Sequence, residues 1–201
     1  MAFFGNVGRN RVRMRRIAVW VVSISVLVTA GGVFSRHPLF AQGGLPESVT
    51  VDDGKGNTLE LRLAAVVEGG QLVSGFGWRS HHPMGGGGAS HAGIDIKAPR
   101  GTPVRAAGPG TVAEISWGSD FGRFVRLKHG ERLETVYAHL TRVAKPLKVG
   151  DAVTPDDVIG YVGSTGRSTG PHVHLEVRRS GKPIDPLGIK KARATKGRKS
   201  P

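Results

Sequence analysis

Gly170-Pro171-His172-Val173-His174-Leu175-Glu176 is the stretch on which the reading of this chain turns. A strand sends alternate side chains to one face, so His172, His174 and Glu176 point the same way there. Two imidazoles about 6–7 Å apart on a rigid face are placed to hold a metal, or to hold one and work beside it. The same spacing also suits two half-buried, hydrogen-bonded histidines on an ordinary strand. A second constellation lies far upstream, His91-Ala92-Gly93-Ile94-Asp95. Together the two segments offer the imidazoles and the carboxylate that a tetrahedral zinc site with an open position needs.

Working outward, the 201 residues suffice for one globular domain with extensions. The 31 glycines and 12 prolines suit short strands joined by tight turns and argue against a helical bundle. Cysteine is absent, which excludes disulfides and thiolate ligands, so a metal here must be held by His and carboxylate. The net charge of +14 invites a nucleic-acid reading, but its distribution opposes it. Arg9, Arg11, Arg13, Arg15 and Arg16 precede an apolar run. Lys190, Lys191, Arg193, Lys196, Arg198 and Lys199 fill a tail without acidic residues. No helix-turn-helix signature or stacking-aromatic pattern accompanies them, so nucleic acid is not expected as a partner.

In chain order, residues 1–16 read as a basic cytoplasmic segment. Residues 17–34 read as a membrane anchor or the apolar part of a secretion signal, which would export the remainder of the chain across the inner membrane. Residues 35–72 hold a linker and then two alternating runs. Ser48-Val49-Thr50-Val51-Asp52-Asp53 and Thr58-Leu59-Glu60-Leu61-Arg62-Leu63 flank the turn-forming Gly54-Lys55-Gly56-Asn57, which predicts a hairpin. Residues 73–186 are a series of short strands and glycine turns. They predict a mainly β fold, a glycine-rich antiparallel β-sheet or sandwich. Residues 187–201 read as a basic, disordered tail.

His91 and Asp95 are four residues apart, about 13 Å on a straight strand and too far for a shared ion. They converge only if the chain bends between them, and Gly93 permits the bend. The alternative is a surface loop with a chance His and Asp. Zinc accepts imidazole and carboxylate at about 2.0–2.2 Å. With three protein ligands it keeps a position for a water whose pKa it lowers.

Seven segments stand in the order and rough spacing of a known family. They are Ser74-Gly75-Phe76-Gly77-Trp78-Arg79, His82-Pro83, His91-x-Gly93-x-Asp95, Gly101-Thr102-Pro103-Val104, Tyr137-Ala138-His139-Leu140, Gly160-x-Val162-Gly163-x-Thr165-Gly166 and Ser168-Thr169-Gly170-Pro171-His172-x-His174-x-Glu176. The chain resembles the LytM/lysostaphin-like zinc endopeptidases that cut peptide cross-links in bacterial cell walls. That resemblance implies a groove across the sheet and one zinc ion per chain, held by His91, Asp95 and His174. It implies that His139 and His172 are catalytic beside the metal-bound water. Which of His172 and His174 binds zinc rests on the resemblance and not on spacing.

Other residues take plainer readings. Glu176 either orients a ligand or is structural. His129 ends a strand before a turn, and His82 is read as structural or groove-lining rather than as a metal ligand. The glycine-rich segment 84–90 is a gate or a connector. Peptidoglycan peptide cross-links are the expected substrate, with an envelope regulatory or scaffold protein as a further partner. The expected location is the cell envelope, on the periplasmic side of the inner membrane, whether the chain is anchored or secreted. The competing reading is a non-catalytic relative that activates other wall hydrolases. Degenerate relatives lack metal residues, whereas His91, Asp95, His139, His172 and His174 are all present.

Overall fold

Apolar–polar alternation broken by glycine turns becomes strand after strand. The computed structural model of the chain describes residues 44–79 and 89–188. In chain order the first strands are β1 (Val49–Asp52), β2 (Thr58–Leu61), β3 (Gln71–Ser74), β4 (Gly77–Arg79), β5 (Ala89–His91), β6 (Ile94–Lys97), β7 (Pro103–Arg105) and β8 (Gly110–Gly118). They continue as β9 (Gly122–His129), β10 (Leu133–Leu140), β11 (Arg142–Val143), β12 (Ala152–Val153), β13 (Val158–Tyr161), β14 (His172–Arg179) and β15 (Lys182–Ile184). A single helical turn, α1 (Leu63–Val66), comes after β2. The fold is mainly antiparallel β, as the turn spacing predicts.

The main sheet has eight strands, in the order β12-β8-β9-β10-β14-β6-β3 with β15 paired to β14. β14 lies near its middle, with His174 opposite Asp95 on β6 and opposite Ala138 on β10. The core face of these strands carries Ile94, Ile96, Tyr137, Val173, Leu175 and Val177, all fully buried. Each such side chain contributes roughly 1.5–3 kcal/mol when removed from water. A slip of one residue would turn all of them outward, so the apolar face sets the register and the register sets the polar face.

The predicted hairpin is present as β1 and β2, paired from Val49 with Leu61 to Asp52 with Thr58. Asp53 Oδ1 accepts from the amides of Lys55 and Asn57 to close its turn. Val51 and Leu61 join the same buried cluster as Ile94 and Val173, and Arg179 on β14 ties the hairpin down through Asp52. Residues 17–34, expected to be an anchor or signal, lie outside the described residues, as do residues 1–16 and the tail after 188. Among the described residues no helix is long and apolar enough to cross a membrane.

His129 is more than a turn residue. Its Nδ1 donates to the Pro109 carbonyl at 2.6 Å, and its Nε2 lies 2.8 Å from the Thr135 hydroxyl. That hydroxyl is 3.0 Å from the phenol oxygen of buried Tyr137, which accepts from the Ala107 amide at 2.7 Å. Burial lowers the His129 pKa, against the upward pulls of the Pro109 carbonyl and of Glu134. The folded chain therefore prefers His129 neutral. Its contribution is complete above the unfolded value of about 6.5 and is lost as the pH falls through the lowered folded value. His129→Gln cannot titrate, so the stability gap between wild type and variant should narrow between about pH 7 and pH 5. Urea denaturation at the two pH values reads this, and a gap that widens on acidification would reverse the assignment.

Candidate metal centre

The site is built on the polar face of β14 and on the chain that leads into β6. β5 ends at His91 and β6 begins at Ile94, and the two strands belong to different sheets. The chain turns at Ala92-Gly93, pressed against β14. A Cβ on Gly93 would stand 2.3 Å from the Leu175 carbonyl oxygen and 3.0 Å from His174 Cε1. Only glycine allows this approach. The bend brings His91 Nε2 to 3.0 Å from Asp95 Oδ1, overcoming the strand spacing that would part them.

His174 completes a triangle. Its Nδ1 lies 2.9 Å from Asp95 Oδ1 and 3.0 Å from His91 Nε2. The outer ring nitrogens decide what the triangle is. His91 Nδ1 is 2.6 Å from the Gly75 carbonyl, which can only accept, so it carries the proton. His174 Nε2 is 3.2 Å from Glu176 Oε1 and donates to it. Both inner nitrogens therefore present lone pairs to a carboxylate oxygen. Three electron-rich atoms about 3 Å apart cannot all be hydrogen-bonded to one another, and this is the spacing that tetrahedral ligands about 2 Å from an ion adopt. The set fits zinc, with each imidazole fixed by an outer acceptor.

Electrostatics agree. Burial would raise the Asp95 pKa, but the His174 and His91 rings set against its Oδ1 hold it far below the usual carboxylate range. Burial alone would hold the His174 pKa down, yet Asp95 and Glu176 outweigh it and raise it. Glu176 is 1% exposed, and His174 and Arg178 keep it ionised against its burial. Two carboxylates around one imidazole make a field that calls for positive charge.

His139 reaches the cleft by a different device. β10 pairs Tyr137 with Val125 but Leu140 with Arg123, an extra residue that marks a β-bulge. Within it His139 takes φ 63°, a left-handed conformation that costs a non-glycine residue on the order of 1–3 kcal/mol. Strict alternation from Tyr137 would put His139 on the core face, and the bulge returns it to the cleft. Its Nδ1 lies 2.8 Å from the Thr165 carbonyl, leaving Nε2 for chemistry. Burial pushes its pKa down to about 4, against the pull of that carbonyl, so it is neutral at pH 7. His172 is held the same way, Nδ1 to the Gly170 carbonyl at 2.8 Å, with Nε2 3.8 Å from Asp95 Oδ1. The rings of His139 and His172 are 4.6 Å apart. Gly163 couples the two, since its carbonyl accepts from the His172 amide and a Cβ on it would stand 2.5 Å from the His139 carbonyl.

All five residues singled out from the sequence thus line one cleft of about 530 Å³. His37, His81, His82 and residues 85–88 lie outside the described residues. Sequence reading passed over Phe121, stacked 6.0 Å from His174, and Arg178. Nothing local marks Phe121, which comes from the β8–β9 turn. Arg178 continues the alternation of His172, His174 and Glu176 and was visible in it.

A family model described as Peptidase family M23 matches residues 89–186. The DD-carboxypeptidase/endopeptidase Mpg of Neisseria meningitidis is 41% identical over 119 residues, which are 59% of this chain and 27% of Mpg. The peptidoglycan DD-endopeptidase ShyC of Vibrio cholerae is 33% identical over 161 residues, 74% of this chain and 37% of ShyC. The chain thus spans well under half the length of these curated relatives. A crystal structure of a catalytic-domain mutant of the prophage-encoded M23 protein EnpA from Enterococcus faecalis superposes with a TM-score of 0.52 at 36% identity. That match covers 60% of this chain and 91% of the EnpA chain.

Proposed function

The chain belongs to peptidase family M23, and on that premise we propose that it is a zinc-dependent endopeptidase that hydrolyses the peptide cross-links of bacterial peptidoglycan. One observation carries the reading. His91 Nε2, Asp95 Oδ1 and His174 Nδ1 converge with their lone pairs inward while Gly75 and Glu176 hold the imidazoles from behind. These three residues would hold one zinc ion per chain. Zinc held there would supply Lewis acidity and lower the pKa of a water toward neutral pH.

The remaining work falls to His139 and His172. Amide hydrolysis needs a proton taken from water, charge met at the carbonyl oxygen and a proton given to the leaving nitrogen. His139, kept neutral by burial, takes a proton at Nε2. His139 then returns that proton to the departing amine. His172, facing it across the cleft with Nε2 turned toward the Asp95 side, would meet the oxyanion when its ring carries a second proton. Both rings are fixed at Nδ1, so neither has to be ordered during the reaction.

Such a substrate lies outside the cytoplasmic membrane, so the reading puts the protein at the cell envelope on the periplasmic side. Residues 17–34 would serve as its anchor or export signal, and an envelope protein that regulates it is a natural partner. The competing reading, a non-catalytic scaffold, calls for a site that has lost a ligand. Here His91, Asp95, His139, His172 and His174 all line the cleft.

The test is hydrolysis of purified peptidoglycan by the full chain, with zinc and with chelator, and mass identification of the released muropeptides. Cross-link cleavage that needs zinc is expected. A zinc-loaded chain that releases nothing would sink the enzymatic reading and favour the scaffold.

A further inference from the structure

The row of same-face side chains on β14 runs on past Glu176. His172, His174, Glu176 and Arg178 take successive alternate positions, and Arg178 lines the same cleft as the histidines. Its Nε donates to Glu176 Oε2 at 2.5 Å. Its guanidinium carbon lies 5.9 Å from the centre of the Phe121 ring, the ring that stacks beside His174. The guanidinium is therefore held at one edge by a carboxylate and on one face by an aromatic.

A guanidinium offers five N–H donors in a planar fork, and the Glu176 contact uses the one on Nε. The two Nη groups make no hydrogen bond to protein among the described residues. The neighbouring charges are engaged elsewhere. Glu134 stands opposite Arg178 in the β10–β14 register, but its carboxylate lies 3.9 Å from Arg126. Arg167, also lining the cleft, lies 3.9 Å from Asp120. The Arg178 side chain is 22% exposed, enough to meet a ligand and sheltered enough to strengthen a charge-assisted bond.

We propose that Arg178 determines specificity: its Nη fork binds a free carboxylate of the substrate peptide beside the scissile amide. Resting on the endopeptidase reading, this favours cross-links between carboxylate-bearing stem peptides over bridges of uncharged glycine. Arg178 lies two alternate positions beyond His174, roughly 13 Å along the strand, and its side chain folds back toward Glu176. A carboxylate within two or three residues of the cut bond falls in reach.

The probes are a stem-peptide dimer cross-linked from D-alanine to diaminopimelate, the same dimer with its carboxylates amidated, and an oligoglycine bridge peptide. Binding to the full chain is measured under chelation, where turnover stops, and hydrolysis with zinc. Wild type should bind the acid dimer about tenfold or more tightly than the amide, a preference that shrinks with salt. Arg178→Gln should bind the two alike, with KM rising on the acid dimer alone and zinc content unchanged. Arg178→Lys should keep part of the preference, having charge without the fork. Equal binding of acid and amide by wild type, or no binding of the acid dimer, overturns the inference. So does an Arg178→Gln loss that is the same on both dimers, which would make Arg178 only a support for Glu176. Acid preference that depends on Arg178 without any hydrolysis would leave this subsite standing and remove the endopeptidase reading.

Discussion

His174→Ala should lose zinc and cross-link hydrolysis together, while His172→Ala should keep zinc and lose hydrolysis. The two histidines share a strand face two residues apart, and only their ring environments part them. His174 presents Nδ1 to Asp95 and His91, with Nε2 anchored on a buried carboxylate. His172 anchors Nδ1 on a carbonyl, and its Nε2 stands 3.8 Å from Asp95. Removing a residue behind a metal ligand commonly costs 10–100-fold in affinity, so removing the ligand itself should cost more than about 100-fold. Neither change touches the apolar face, so the sheet should survive. His174→Ala also strips buried Glu176 of one donor, a cost on the order of 1–3 kcal/mol that Arg178 limits. Metal analysis, muropeptide release and thermal melting of both variants read the outcome. Stoichiometric zinc in His174→Ala would reverse the roles of the two histidines.

Gly93→Ala damages fold and site at once. The new methyl would meet the Leu175 carbonyl at 2.3 Å, and a backbone atom in a mid-sheet strand cannot step aside as a side-chain end can. Either β14 yields or the turn that joins His91 to Asp95 opens. Overpacking of this kind costs about 1–3 kcal/mol, and more where backbone blocks relaxation. Zinc affinity should fall with stability, because the displaced turn carries two of the three converging atoms. Gly170→Ala is the comparison, since nothing lies within 4 Å of a Cβ there and its φ is not in the left-handed region. Urea denaturation and zinc titration of the two variants distinguish a steric effect from mere loss of glycine. Equal stability of Gly93→Ala and Gly170→Ala would contradict the close packing of Gly93 on β14.

Much of the site was legible in the sequence because a strand's alternation is local. Period two puts His172, His174 and Glu176 on one face from the sequence alone, and the same rule reaches Arg178. Glycine and turn chemistry announced the β fold and the hairpin, and the absence of cysteine left only His and carboxylate as metal donors. The need for a bend between His91 and Asp95 was also readable, with Gly93 as its seat.

What fills that bend was not, because it depends on residues far apart in the chain. Gly93 is required by the carbonyl of Leu175, which the register of β14 on β6 sets against it. His139 breaks its own alternation through a bulge that pairing with β9 reveals, and no local pattern marks a left-handed histidine. Three of the four imidazoles, those of His91, His139 and His172, are oriented by backbone carbonyls of Gly75, Thr165 and Gly170, groups every residue carries and no sequence distinguishes. Side-chain type and periodicity are written residue by residue. Which lone pair faces inward is decided by packing that brings β3, β6, β10 and β14 into one sheet.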